Sequence, residues 1–101
     1  MITEGNMRKR QPTSPGEILR EEFLIPLGMT QKALADHLGS DVKVINRIVN
    51  GRTSVSAEMA LKLAATFNTS AEFWLNAQKA VDLFRAERRL SRLPSPVLKA
   101  S

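Results

Sequence analysis

The stretch SDVKVINRIVNG, residues 40–51, reads as one short helix with two unlike faces. Val44, Ile45, Ile48 and Val49 share one side at the 3.6-residue period, while Lys43, Asn46, Arg47 and Asn50, at i, i+3, i+4 and i+7, share the other. The apolar side needs a core to lie on. The cationic, amide-bearing side suits a solvated face, a protein contact or a set of groups for reading base edges, and the flanking residues decide among these.

Upstream, Thr30 is placed to cap QKALADHL, whose Leu34, Ala35 and Leu38 share a face and which Gly39 closes. Asp41 is placed to cap the opening stretch and Asn50-Gly51 to end it. Further upstream, Ser14-Pro15-Gly16-Glu17 combines an N-cap serine, a proline at the first helical position and a capping-box glutamate. A first helix is expected there, with Ile18, Leu19 and Phe23 on its apolar side and Pro26 followed by Gly28 as its end. Downstream, Ser56 opens a fourth amphipathic segment carrying Met59, Ala60, Leu63, Ala64 and Phe67, with Asn68 as a left-handed stop. Thr69 and Glu72 read as a second capping box for a fifth helix, whose apolar side is Phe73, Trp74, Ala77, Val81 and Phe84 and which frays near Arg89. Five helices and no convincing strand predict an all-α fold.

Counted from Gln31 as the first residue of the second helix, Ala35 is fifth, Gly39 ninth, Ile45 fifteenth and Ile48 eighteenth. A helix-turn-helix needs a small side chain where its two helices cross, a glycine in the turn and β-branched residues to seat the second helix on the first. Taken alone, this spacing also suits two helices of a small bundle with a polar outer face. The wider chain resembles the phage-repressor-type (Cro-like) helix-turn-helix domains and, within them, the HigA-type antitoxins of bacterial toxin–antitoxin modules. The likeness runs from about Arg10 to Arg85 and is carried by PTSPGEILREEFLIPLGMTQKALA, NGRTSVSAEMALKLAATFNTS and EFWLNAQKAVDLF. It implies that Gln31 contacts a phosphate from the head of the second helix, where free N–H groups assist it. It further implies that Asp41, Val42, Lys43 and Arg47 face base edges and that Asn50 and Arg52 contact the backbone. Lys43 and Arg47 are able to donate to guanine, and Val42 to lie against a thymine methyl. Asn46 has the groups to read an adenine, or it faces solvent. Two residues depart from the family pattern: Ser40 stands where an aliphatic residue usually seals the turn, and Asp41 replaces the common serine or threonine cap and brings a negative charge toward phosphates.

The resemblance implies a repressor of its own operon that binds double-stranded operator DNA as a homodimer and neutralises a HigB-type ribonuclease toxin. A stand-alone repressor without a toxin, and a protein-interaction module that has lost DNA binding, are the rival readings. Residues 1–13 are expected to form a flexible basic arm, 14–90 the helix-turn-helix domain with a C-terminal dimerisation helix, and 91–101 a flexible tail. Phe73, Trp74, Ala77, Val81 and Phe84 are the expected dimer interface, because a broad apolar stripe can serve both a core and a second copy.

Composition narrows the remaining classes. With 101 residues, 43% of them hydrophobic and 25% charged, the chain makes one domain with a core of its own. No apolar run approaches the roughly 18 residues that span a bilayer, and no signal peptide is evident, so a cytoplasmic protein without membrane contact is expected. The net charge of +5 is unevenly placed: residues 1–14 carry +2, 15–82 carry −1 and 83–101 carry +4. Charge alone therefore says little about the helix-turn-helix. The absence of cysteine removes disulfides, thiolate metal sites and cysteine nucleophiles. The single histidine, His37, lacks neighbouring ligands at helical spacing, and Glu17, Glu21 and Glu22 read as a solvated helix face. Neither an enzyme nor a metal or cofactor site is expected.

Overall fold

Five side-chain oxygens start the helices. Ser14, Thr30, Asp41, Ser56 and Ser70 accept from the backbone N–H of Glu17, Ala33, Lys43, Met59 and Phe73, at 2.8–3.1 Å. Each such cap stabilises its helix by about 1 kcal/mol. In the computed structural model, which describes residues 10–98, these caps delimit five helices, and the described residues contain no strand. Helix α1 is a continuous run made of an α turn at Pro15–Ile18, a π turn at Leu19–Leu24 and a last α turn at Ile25–Leu27. Helices α2 (Gln31–Leu38), α3 (Val42–Val49), α4 (Ala57–Phe67) and α5 (Ala71–Arg89) follow. The all-α helix-turn-helix architecture expected from the sequence is the one observed. Residues 1–9 of the expected basic arm and 99–101 of the expected tail lie outside the described residues.

Two ends differ from expectation. Pro26 lies within α1 and does not end it; the helix continues to Leu27, and Met29 N–H closes back on Leu24 O at 2.9 Å. The π turn accounts for this. Ile25 N–H bonds to Arg20 O, five residues back, and such a widened turn makes room for a proline ring and for the donor it lacks. At the head of α5 the cap is Ser70 and not Thr69. Thr69 Oγ1 instead accepts from the indole Nε1 of Trp74 at 2.8 Å. Trp74 is wholly buried, and its N–H would be costly to leave unpaired, which is the stronger demand on that hydroxyl.

The core gathers Leu19 from α1, Leu34 and Ala35 from α2, Ile45 and Ile48 from α3, Met59, Ala60 and Leu63 from α4, and Trp74 from α5. Phe23 and Phe67 stack on its edge, their ring centroids 4.6 Å apart and those of Phe23 and Trp74 5.5 Å apart. No described buried side-chain nitrogen or oxygen lacks a partner. Helix α3 is pressed onto this core by a backbone contact: a methyl on Gly16 would lie 1.9 Å from Ile48 O and 2.9 Å from Val49 Cα. Only a residue without Cβ lets the first turn of α1 approach so closely. Gly16→Ala is expected to lower stability by about 3 kcal/mol, the upper end for overpacking. Chemical denaturation measures it, and a loss under 1 kcal/mol would mean that α1 does not bear on α3 in this way.

Candidate nucleic-acid interface

The turn between α2 and α3 is built on the alanine and the glycine that the sequence pattern singled out. Ala35 is buried where the helices cross; Gly39 takes the left-handed conformation at φ 68°, and Ser40 N–H bonds to Ala35 O at 2.9 Å. Ser40 is half-buried and uses its backbone to close the turn, although it lacks the aliphatic side chain usual there. The next residue, Asp41, caps α3, its Oδ1 accepting from Lys43 N–H at 2.8 Å. An eight-residue helix has little stability of its own, so its orientation is set by the surface on which Ile45 and Ile48 rest.

With those isoleucines turned inward, Lys43, Asn46, Arg47 and Asn50 stand exposed on the opposite side. Gln31, Val42, Lys43, Asn46 and Arg47 line one open concavity along the α2–α3 junction. Asn46 links the two helices, donating to Gln31 Oε1 at 3.1 Å and accepting from Asn50 at 3.2 Å. Arg52 is exposed just beyond α3, where its backbone N–H bonds to Arg47 O at 2.8 Å. The structure thus brings six of the eight residues proposed from the sequence, Gln31, Val42, Lys43, Asn46, Arg47 and Asn50, together along the α2–α3 junction, with Asp41 at the near end of α3 and Arg52 exposed just beyond its far end. Among the described residues Lys43, Arg47 and Arg52 are in no ion pair, in contrast to Lys32, which is held by Asp36 at 2.8 Å. Uncompensated cations and outward amides are the groups that donate to phosphates and to guanine edges.

A residue that sequence reasoning missed holds the loop carrying Arg52. Gln78 of α5 accepts from Val55 N–H at 3.0 Å and donates to Asp82 at the same distance. Val55 is 4% exposed, so this bond satisfies a nearly buried donor. No periodicity signals it, because Gln78 lies outside the apolar stripe and its partner is 23 residues away. His37 is exposed on α2, Glu17, Glu21 and Glu22 are exposed on α1, and among the described residues no cluster of His, Asp and Glu is built to hold a metal ion. No helix among them is long and apolar enough to cross a membrane.

The expected dimer residues divide. Trp74, Val81 and Phe84 are buried in the protomer, at 0%, 1% and 9% exposure, and so have next to no surface to offer a second copy. Helix geometry explains the division: these three occupy the side of α5 that packs on α1 and α4, and the apolar stripe was wide enough to conceal that. Phe73, 42% exposed and edge-on to Trp74, and the half-buried Ala77 remain accessible. Leu83, further along α5, is 44% exposed.

Residues 19–74, more than half of the chain, match the helix-turn-helix family. The chain is 46% identical over 81 residues to antitoxin HigA-1 of Vibrio cholerae, across 80% of this chain and 76% of that protein. Among solved structures it is similar to Pseudomonas aeruginosa antitoxin HigA, determined with the higBA promoter, with a TM-score of 0.79 and 37% identity over 86% of this chain and 99% of that one. It is also similar to antitoxin GraA in complex with its operator, with a TM-score of 0.74 and 42% identity over 87% and 97% of the two chains.

Replacing Gln78 by alanine leaves the Val55 N–H without its partner and is expected to cost about 1–3 kcal/mol. Native-state hydrogen exchange is the sensitive measurement: the Val55 amide should lose protection while the α2 amides keep theirs, and equal protection in both proteins would remove Gln78 from the account of the loop.

Proposed function

The chain belongs to the helix-turn-helix family, in its HigA-type antitoxin branch, and on that premise we propose that it represses its own operon as a DNA-bound homodimer and neutralises a HigB-type ribonuclease toxin. A binding protein that is not an enzyme agrees with that family. The observation that carries the DNA reading is the amphipathic seating of α3: Ile45 and Ile48 are buried, while Lys43 and Arg47 stand exposed and outside any ion pair among the described residues. Two of its relatives were determined with their promoter or operator.

In this reading α3 enters the major groove. Lys43 and Arg47 donate to guanine O6 and N7, and Val42 packs on a thymine methyl. Asp41 accepts from a cytosine amino group or weakens binding. Gln31, Asn50 and Arg52 engage the phosphates on either side. Residues 14–90 form the unit that binds and pairs. Two copies related by a twofold axis would address half-sites about 10 bp apart and supply the area that one short helix lacks. For the pairing surface we assign the part of α5 that carries accessible apolar side chains, Phe73, Ala77 and Leu83, because Trp74, Val81 and Phe84 are occupied by the core. Repression is then steric, since the occupied operator excludes polymerase. Neutralisation is a separate protein–protein contact.

A gel shift with the gene's own upstream region tests the DNA reading. Co-purification with the product of the adjacent reading frame, and relief of its toxicity, tests the antitoxin reading. Arg47→Ala should flatten sequence preference by about 1–3 kcal/mol at one base pair, whereas Arg52→Ala should weaken all duplexes alike and reduce the salt slope by about one. Equal losses on operator and random DNA for both variants would refute that division of roles. Leu83→Glu is expected to give a folded monomer in sedimentation velocity, and a variant that stays dimeric would move the pairing surface elsewhere.

A further inference from the structure

Three amides form a directed chain across the outer surface. Asn50 Nδ2 donates to Asn46 Oδ1 at 3.2 Å, and Asn46 Nδ2 donates to Gln31 Oε1 at 3.1 Å. Asn46 is engaged at both ends, its oxygen within α3 and its nitrogen across to α2. Reading an adenine in the bidentate manner takes an amide oxygen and nitrogen presented together to the base. Asn46 already commits one N–H and one oxygen lone pair to its neighbours, and those two bonds fix the plane of its amide.

Gln31 is in the opposite position. Its oxygen is taken by Asn46, and its Nε2 has no partner among the described residues. The free terminus of the chain is therefore a pair of N–H donors, at the first turn of an eight-residue helix, where backbone N–H groups outside the cap also lack intrahelical partners. A phosphate oxygen only accepts. With the amide turned over, Gln31 would present an acceptor to it and the contact would be repulsive. The direction of the chain thus decides whether Gln31 suits the nucleic-acid backbone.

We propose that Asn46 is a positioning residue: it holds the Gln31 amide with its N–H pair facing the DNA backbone and does not itself read a base. This rests on the DNA-binding reading above and assigns Asn46 a task within it. The bonds lie on an exposed surface, so they contribute little to stability, and their effect falls on binding.

The test is a double-mutant cycle of wild type, Gln31→Ala, Asn46→Ala and the pair, measured by fluorescence anisotropy. The probes are a duplex from the gene's own upstream region and a scrambled duplex of equal length. Asn46→Ala should bind both duplexes about threefold to tenfold more weakly. Adding it to Gln31→Ala should change affinity less than twofold, because Gln31 is the group through which Asn46 acts. All four proteins should melt within about 4 °C of one another. A loss confined to the upstream duplex would make Asn46 a base reader, and losses that multiply in the double variant would make the two residues independent; either result overturns the proposal. So does an unchanged affinity of Asn46→Ala. Failure of the wild-type protein to bind either duplex would remove the DNA reading itself and the proposal with it, an outcome distinct from the others.

Discussion

The direct backbone contact between α1 and α3 is the constraint on which the rest of the molecule depends. Gly16 lets the first turn of α1 rest against the Ile48 carbonyl, while Ile45 and Ile48 fill the core beneath. Helix α3 has eight residues, too few to be stable by propensity, and borrows both its existence and its direction from these neighbours. Once the seat is made, the 3.6-residue period leaves no choice about the outer side. Lys43 and Arg47 face away from the core for the same reason that Ile45 and Ile48 face into it. The electrostatic character of the surface is therefore a consequence of packing. It is also local, since the residues between the two basic ends of the chain carry a net charge of −1.

Helix α5 completes this arrangement from the far side. Its inner face supplies Trp74 and Val81 to the core, and Gln78 reaches the loop after α3 that carries Arg52. One helix thus closes the core, fixes a loop beside the candidate interface and leaves Phe73 and Leu83 accessible. A pairing surface built on them would tie the spacing of two α3 helices to the same element that steadies each of them.

What could be read from the sequence was governed by local chemistry. Ser14, Thr30, Asp41 and Ser56 announce helix starts because a short oxygen-bearing side chain meets a free N–H within three residues, and Gly39 and Asn68 announce stops through their left-handed backbone. The outward set on α3 followed from period alone. The features that escaped depend on partners distant in sequence or on competition between neighbours. Pro26 reads as a terminator until the π turn that accommodates it is seen, and nothing in LREEFL signals that turn. Thr69 and Ser70 are equivalent as caps in sequence, and the buried indole of Trp74 chooses between them. Gly16 looks like part of a cap and is in fact the point of closest helix approach, while the stripe on α5 could not be divided into core and outer sides without its packing partners.

Whether the outer side of α3 is the surface that meets duplex DNA decides the rest. Amide chemical-shift mapping during titration with a duplex from the gene's own upstream region measures this directly. Perturbations are expected at the head of α2 around Gln31, along Val42 to Arg47 and at Asn50 to Arg52, with the outer side of α4 silent. Perturbations centred on α4 or on the acidic side of α1, with Lys43 and Arg47 unmoved, would contradict that assignment.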